Sequence, residues 1–170
     1  MTHRFLPAAF LLSALMLTAS GVAIAQTVLG THGKWEALTE KEGGKPVCYM
    51  GSMPTKATGK YKKRGDSYVL ITHRPGDKST NVVSIQAGYT YKPGSETEIT
   101  VGKKKFKLFT DGGHAFAYDS KTDNELVKSM IRGTVMIVKG TSSRGTLTTD
   151  TYSLKGFTAA YKAISRACKV

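Results

Sequence analysis

The stretch Lys105-Phe106-Lys107-Leu108-Phe109, which runs on two positions later into Asp111-Gly112-Gly113, reads as a β-strand entering a tight turn. Successive side chains of a strand point to opposite faces, so Phe106 and Leu108 share one side while Lys105 and Lys107 share the other. That pattern describes a half-buried strand whose wet face is basic. Aspartate followed by two glycines supplies the backbone freedom and local hydrogen bonding that a turn requires.

Outward from this stretch, apolar runs and turn signals keep alternating. Strands are predicted at Lys34–Leu38, Val47–Met53, Ser67–His73, Val82–Tyr91, Glu98–Val101, Lys105–Phe109, Ala115–Tyr118, Thr134–Lys139 and Thr146–Tyr152. The breaks between them carry Gly43-Gly44, Arg64-Gly65-Asp66, Pro75-Gly76-Asp77, Pro93-Gly94, Asp111-Gly112-Gly113 and Arg144-Gly145, all ordinary turn chemistry. Short strands in succession, with no dividing linker and no repeat, predict a mainly β fold: a single-domain β-sandwich or barrel of about 8–9 strands. Tyr68-Val69-Leu70-Ile71 and Val135–Val138 are apolar on both faces, which predicts central strands covered on each side.

Two stretches switch to helical period, predicting a short internal helix and a C-terminal helix. Asn124–Ile131 sets Leu126, Val127, Met130 and Ile131 on one stripe, with Asp123 placed to cap its start. Leu154–Cys168, with Ser153 as the predicted cap, repeats Phe157, Ala160, Tyr161, Ile164 and Cys168 at helical spacing. At about 100° per residue, Cys168 falls within roughly 20° of Phe157 around the helix axis, so its thiol points toward the core.

The chain opens with His3 and Arg4, an apolar run Ala8–Leu17, and the small residues Ala23-Ile24-Ala25. These are the parts of a secretory signal and its cleavage site. We therefore expect residues 1–25 to be a signal peptide and residues 26–170 to be one exported domain, destined for the periplasm, the outer membrane or the medium. An uncleaved anchor is the alternative, and the apolar run is short for one. Beyond Ala25 the longest aliphatic run is Val135–Val138, too short to span a bilayer. In an oxidising compartment the two cysteines, Cys48 and Cys168, predict a disulfide, the alternative being two separate buried thiols. A bridge across that interval is worth about 5 kcal/mol in the chain-entropy account.

The chain has 25 Lys and Arg against 12 Asp and Glu, a formal charge of +13, and Arg4 is the leader's one contribution to it. This excess speaks about partners and little about fold. The basic residues cluster at Lys60, Lys62, Lys63 and Arg64; at Lys103, Lys104, Lys105 and Lys107; and at Lys155, Lys162, Arg166 and Lys169. The first two groups are the candidate anion-binding residues, suited to phosphorylated or sulfated polymers such as lipopolysaccharide or host glycosaminoglycans. Export makes nucleic acid the weakest candidate, and a solvated face that only aids solubility is the competing reading. Arg64-Gly65-Asp66 would be an adhesive tripeptide if exposed, and is otherwise turn chemistry.

No H-E-x-x-H, G-x-S-x-G, G-x-G-x-x-G, P-loop or C-x-x-C occurs. His32, His73 and His114 lack metal-ligand spacing, Asp111–His114 reads as a loop before an acid–base pair, and Ser142, Ser143 and Arg144 read as a turn before a nucleophile site. We expect no catalytic residues, no metal and no cofactor. The expected function is therefore non-enzymatic binding of an anionic envelope or host-surface component, with structural envelope maintenance, and then an uncharacterised periplasmic enzyme, as alternatives.

The run Gly140–Ala160, with Ser153-Leu154-x-Gly156-Phe157 at its heart and Ala167-Cys168 at its close, resembles the invasion associated locus B family of bacterial exported proteins. Cys48-Tyr49-Met50, Thr72-His73-Arg74-Pro75 and Ala87-Gly88-Tyr89 fit the same resemblance, which covers most of residues 26–170. It implies a periplasmic or surface protein with a role in host-cell invasion, and no catalytic residues. It also implies a second cysteine pair in the region matching Phe109–His114, which this chain lacks. Physically, the motif does packing work: Gly156 permits close backbone approach and Phe157 buries a large ring beside it.

Overall fold

In the computed structural model, which describes residues 26–170, the Lys105–Phe109 run is the middle of an eight-residue strand. The expected signal peptide lies outside the described residues. The strands are β1 (Thr27–His32), β2 (Trp35–Glu42), β3 (Lys45–Ser52), β4 (Lys56–Gly59), β5 (Tyr68–Arg74), β6 (Ser79–Gln86), β7 (Glu96–Val101), β8 (Lys104–Asp111), β9 (His114–Phe116), β10 (Val135–Thr141) and β11 (Leu147–Ser153). The helices are α1 (Ser120–Arg132) and α2 (Phe157–Cys168). Within β8 the expected alternation is observed: Leu108 is fully buried, Phe106 is half-buried, and Lys105 and Lys107 are exposed.

Among the described residues the sheet has 11 strands in the order β1-β2-β3-β5-β6-β9-β8-β7-β10-β11-β4, two more than the upper sequence-based count. Each of the nine predicted strands overlaps an observed one. The additional pair, β1 and β4, are the sheet's edges, and their residues are almost all exposed. With no buried face they carry no apolar alternation that a sequence could display. Val82–Tyr91 is not one strand either, since β6 ends at Gln86 and the chain leaves the ladder at Ala87.

The sheet rolls upon itself. β2 and β11 stand near opposite ends of the order, yet the Trp35 indole N–H of β2 donates to the Ser153 carbonyl of β11 at 2.9 Å. Trp35 also meets Phe157 edge to face, with ring centroids 4.8 Å apart, a favourable aromatic geometry. Backbone contact makes this closure possible: a Cβ on Gly156 (φ +94°) would lie 1.9 Å from the His32 carbonyl oxygen, and one on Gly33 would lie 2.5 Å from that of Lys155. Only glycine fits both positions. The Ser153-Leu154-x-Gly156-Phe157 motif is thus the seam that holds the rolled sheet shut.

The inward faces enclose one core of Trp35, Met50, Ile71, Ile85, Ile99, Leu108, Met136 and Tyr152, with Leu126 and Met130 from α1 and Phe157 and Ile164 from α2. Cys48 faces inward from β3 and is bonded to Cys168 at the end of α2, with Cα atoms 5.9 Å apart.

Three local expectations are corrected. Val135 is exposed, and Leu70 and Ile137 are only half-buried, because a single rolled sheet buries one face of each strand and leaves the other wet. The cap of α1 is Asp119, whose carboxylate accepts from the Thr122 N–H at 2.7 Å. Asp123 lies one turn inside and accepts instead from the Val83 N–H at 2.9 Å. Finally, α2 begins at Phe157 behind Gly156 rather than behind Ser153, since the left-handed glycine must first bring the chain against His32.

Candidate functional site

A cleft of about 650 Å³ is built from three segments. Lys60 to Gly65, between β4 and β5, form one wall. Gly88 to Thr90, after β6, form the second. The β10–β11 connection supplies Ser142, Ser143, Arg144 and Thr146, and β11 itself supplies Thr148. The cleft exists because the rolled sheet brings β11 alongside the chain that enters β5. No aspartate or glutamate lines it.

Arg64 closes the floor. Its two terminal nitrogens donate to the two oxygens of Asp150 at 2.6 Å each, and its Nε–H donates to the Ala87 carbonyl at 2.6 Å. Both side chains are almost wholly buried, at 6% and 3% exposure. Such a two-pronged pair matches the fork of a guanidinium to a carboxylate. Burial by itself would lower the Arg64 pKa, but the bonds and charge of Asp150 outweigh it and raise it. The guanidinium carbon sits 5.0 Å from the Tyr89 ring centre and 5.7 Å from that of Tyr61, within cation–π range. Ser67 Oγ bonds Asp150 at 3.2 Å and the Tyr152 hydroxyl at 3.1 Å. Tyr89 and Thr148 join hydroxyls at 2.7 Å. Burial raises the phenol pKa of Tyr89, Tyr91 and Tyr152, so all three are neutral at physiological pH.

Arg64 is therefore committed to the protein, and the tripeptide Arg64-Gly65-Asp66 does not offer its arginine to an outside partner. The remaining cations of the cleft behave differently. Lys60, Lys62, Lys63 and Arg144 are exposed and form no ion pair among the described residues. Arg144 sits at the tip of a turn closed by Gly145 N–H to the Ser142 carbonyl, 2.8 Å, with Ser142 Oγ accepting from Thr146 N–H at 3.1 Å. The expected turn at Ser142–Arg144 is thus present, and it delivers to the first lysine cluster an arginine that the sequence did not associate with it.

The model of the family described as "Invasion associated locus B (IalB) protein" matches residues 35–165. The chain belongs to this family. Among solved structures, the crystal structure of invasion associated protein B from Bartonella henselae matches with a TM-score of 0.56 at 16% identity, covering 84% of this chain and 97% of that one. At that identity the likeness speaks for the fold. No curated protein matches.

In this member of the invasion associated locus B family the second lysine group is organised by its strand. Lys105 pairs with Glu98 at 3.3 Å and Lys107 with Glu96 at 2.8 Å across the β7–β8 ladder. Glu96 also accepts from the Tyr118 hydroxyl at 3.0 Å. The bonds from Lys107 and Tyr118 lower the Glu96 pKa, and the bond to Glu96 raises that of Lys107. Two of the four positive charges there are met by carboxylates, leaving Lys103 and Lys104 near the turn. Lys155, Lys162, Arg166 and Lys169 are exposed on and beside α2.

The histidines have separate settings. His73 is fully buried; its Nδ1 accepts from the Asn81 N–H at 3.1 Å, so in the neutral ring Nε2 carries the proton toward Ser165 Oγ at 3.2 Å. Burial lowers its pKa. His114 is exposed and stacks on Phe116, facing Asp111 across the β8–β9 hairpin. No three His, Cys, Asp or Glu side chains converge on a metal-sized site among the described residues. No helix there is long and apolar enough to cross a membrane.

Proposed function

We propose that this member of the invasion associated locus B family is an exported, non-catalytic envelope or surface protein that binds an anionic envelope or host-surface component through the cleft between the β4–β5 and β10–β11 segments. The observation that supports this reading is the meeting of Lys60, Lys62, Lys63 and Arg144 around a cleft with no acidic lining residue. Like charges gathered over a concave, low-dielectric floor focus their field, which draws in a counter-charged ligand. The lysines of β8 are secondary, because Glu96 and Glu98 already meet two of them.

The test is binding of the purified domain, residues 26–170, to immobilised heparin and to lipopolysaccharide at rising salt. Exposed charges are screened over about 8–10 Å near physiological ionic strength, so affinity should fall steeply as salt increases. Replacing Lys62, Lys63 and Arg144 by glutamine should weaken binding about ten-fold or more, whereas Lys105→Gln with Lys107→Gln should change it little. Lys121→Gln with Lys128→Gln is the control for net charge alone. Equal losses in all three variants would overturn the cleft as the site, and no binding at low salt would overturn the function.

A further inference from the structure

We infer that the cleft selects a compact saccharide unit bearing phosphate or sulfate esters, rather than any polyanion of sufficient charge; this rests on the reading of the cleft as the anion site. The division of labour between rim and floor carries the argument. Lys60, Lys62, Lys63 and Arg144, at the rim, are exposed and unpaired among the described residues. The floor's one cation, Arg64, is neutralised by Asp150 at 2.6 Å and held between Tyr61 and Tyr89. A ligand's negative groups are therefore held at the rim, and what reaches the floor must suit neutral, partly aromatic surroundings.

Free hydroxyls stand beside these cations. Thr90 and Ser143 are exposed and Thr146 is half-buried along the cleft, and their side-chain hydroxyls bond no other side chain among the described residues. Each hydroxyl both donates and accepts, which matches the alternating donors and acceptors of a sugar ring. A purely electrostatic site has no use for them. Size argues the same way: about 650 Å³ lies in the range of small-ligand pockets, and three separate chain segments line it. Arg144 adds a planar fork fitted to two oxygens of one ester, a geometry that lysines lack.

The shared chemistry, an esterified amino-sugar or uronate unit, occurs both in the phosphorylated headgroup of envelope glycolipid and in sulfated host glycans. Calorimetry at low salt on residues 26–170 should use four probes: a glucosamine disaccharide bisphosphate, a fully sulfated heparin disaccharide, long-chain heparin and polyphosphate. The expected result is one-to-one binding of at least one disaccharide, the phosphate arm pointing to envelope glycolipid and the sulfate arm to host glycan. A Thr90→Val, Ser143→Ala, Thr146→Val variant should lose disaccharide affinity by about ten-fold or more while polyphosphate binding stays within about two-fold. Circular dichroism and thermal melting would verify that this variant folds. Binding of heparin and polyphosphate with neither disaccharide bound, or equal losses for all probes in the hydroxyl variant, would overturn this inference and leave the anion-site reading standing. Failure to bind any of the four would overturn both.

Discussion

Removing either partner of the Arg64–Asp150 pair should destabilise the domain by about 3–5 kcal/mol, because it strands the other charge in an almost wholly buried position. The structure sets that magnitude: the two side chains are 6% and 3% exposed and share two bonds of 2.6 Å. Arg64→Met leaves Asp150 with only the Ser67 hydroxyl, and Asp150→Leu leaves Arg64 with only the Ala87 carbonyl among its hydrogen-bond acceptors. The double variant behaves differently, since no unpaired charge remains buried. Ser67 keeps its bond to Tyr152, so the group left unsatisfied is the Ala87 carbonyl, at about 1–3 kcal/mol. The two single losses would sum to about 6–10 kcal/mol if additive, so the double-mutant cycle should return a coupling of several kcal/mol. Urea denaturation followed by tryptophan fluorescence measures this, given an unchanged m-value for all four proteins. Singles costing under about 1 kcal/mol, or costs that simply add, would refute the view that this pair is buried, specific and structurally required.

Phe157→Ala should cost about 3–5 kcal/mol through loss of a fully buried ring packed on Trp35; an unchanged melting temperature would show that the seam is not part of the core. Asp123, on the buried face of α1, has its carboxyl pushed up to about 6 by burial, so the folded state holds a proton that the unfolded state has already lost between about pH 4 and 6. That contribution is fully present below pH 4 and is lost as pH rises through 6. Asp123→Asn, which keeps an oxygen for the Val83 N–H, should therefore stabilise the domain by about 1–3 kcal/mol at pH 7.5 and by almost nothing at pH 4; equal effects at both pH values would contradict it. Cys48→Ala with Cys168→Ala should cost about 2–5 kcal/mol in chemical denaturation, and the wild type should lose a similar amount under strong reductant.

The strands on either side of a buried face were legible because their signal is local: an alternation of two residues needs only neighbouring positions, and β8 shows it as read. The phase of α2 is equally local, so periodicity alone sets Cys168 on the core side. Elsewhere tertiary context decides. β1 and β4 have no buried face to announce them. Asp123 and Asp119 are both competent caps by composition, and only the position of the Val83 amide assigns the first of them to another task.

The same distinction separates the charges from the site. The sequence by itself determined that this domain is basic, where its cations cluster, that its two cysteines are poised to pair, and, by resemblance, the family to which it belongs. These follow from composition, periodicity and motif, which do not depend on the path of the chain. Which cations are available to a ligand was decided only by the tertiary structure. Arg64 is withdrawn by Asp150, 86 positions away, Lys105 and Lys107 are met by Glu98 and Glu96 on the neighbouring strand, and Arg144 joins Lys60, Lys62 and Lys63 across the cleft. The reason is physical: charge is additive along a chain, but pairing and desolvation act over a few ångströms of space, and the rolled sheet alone sets those distances.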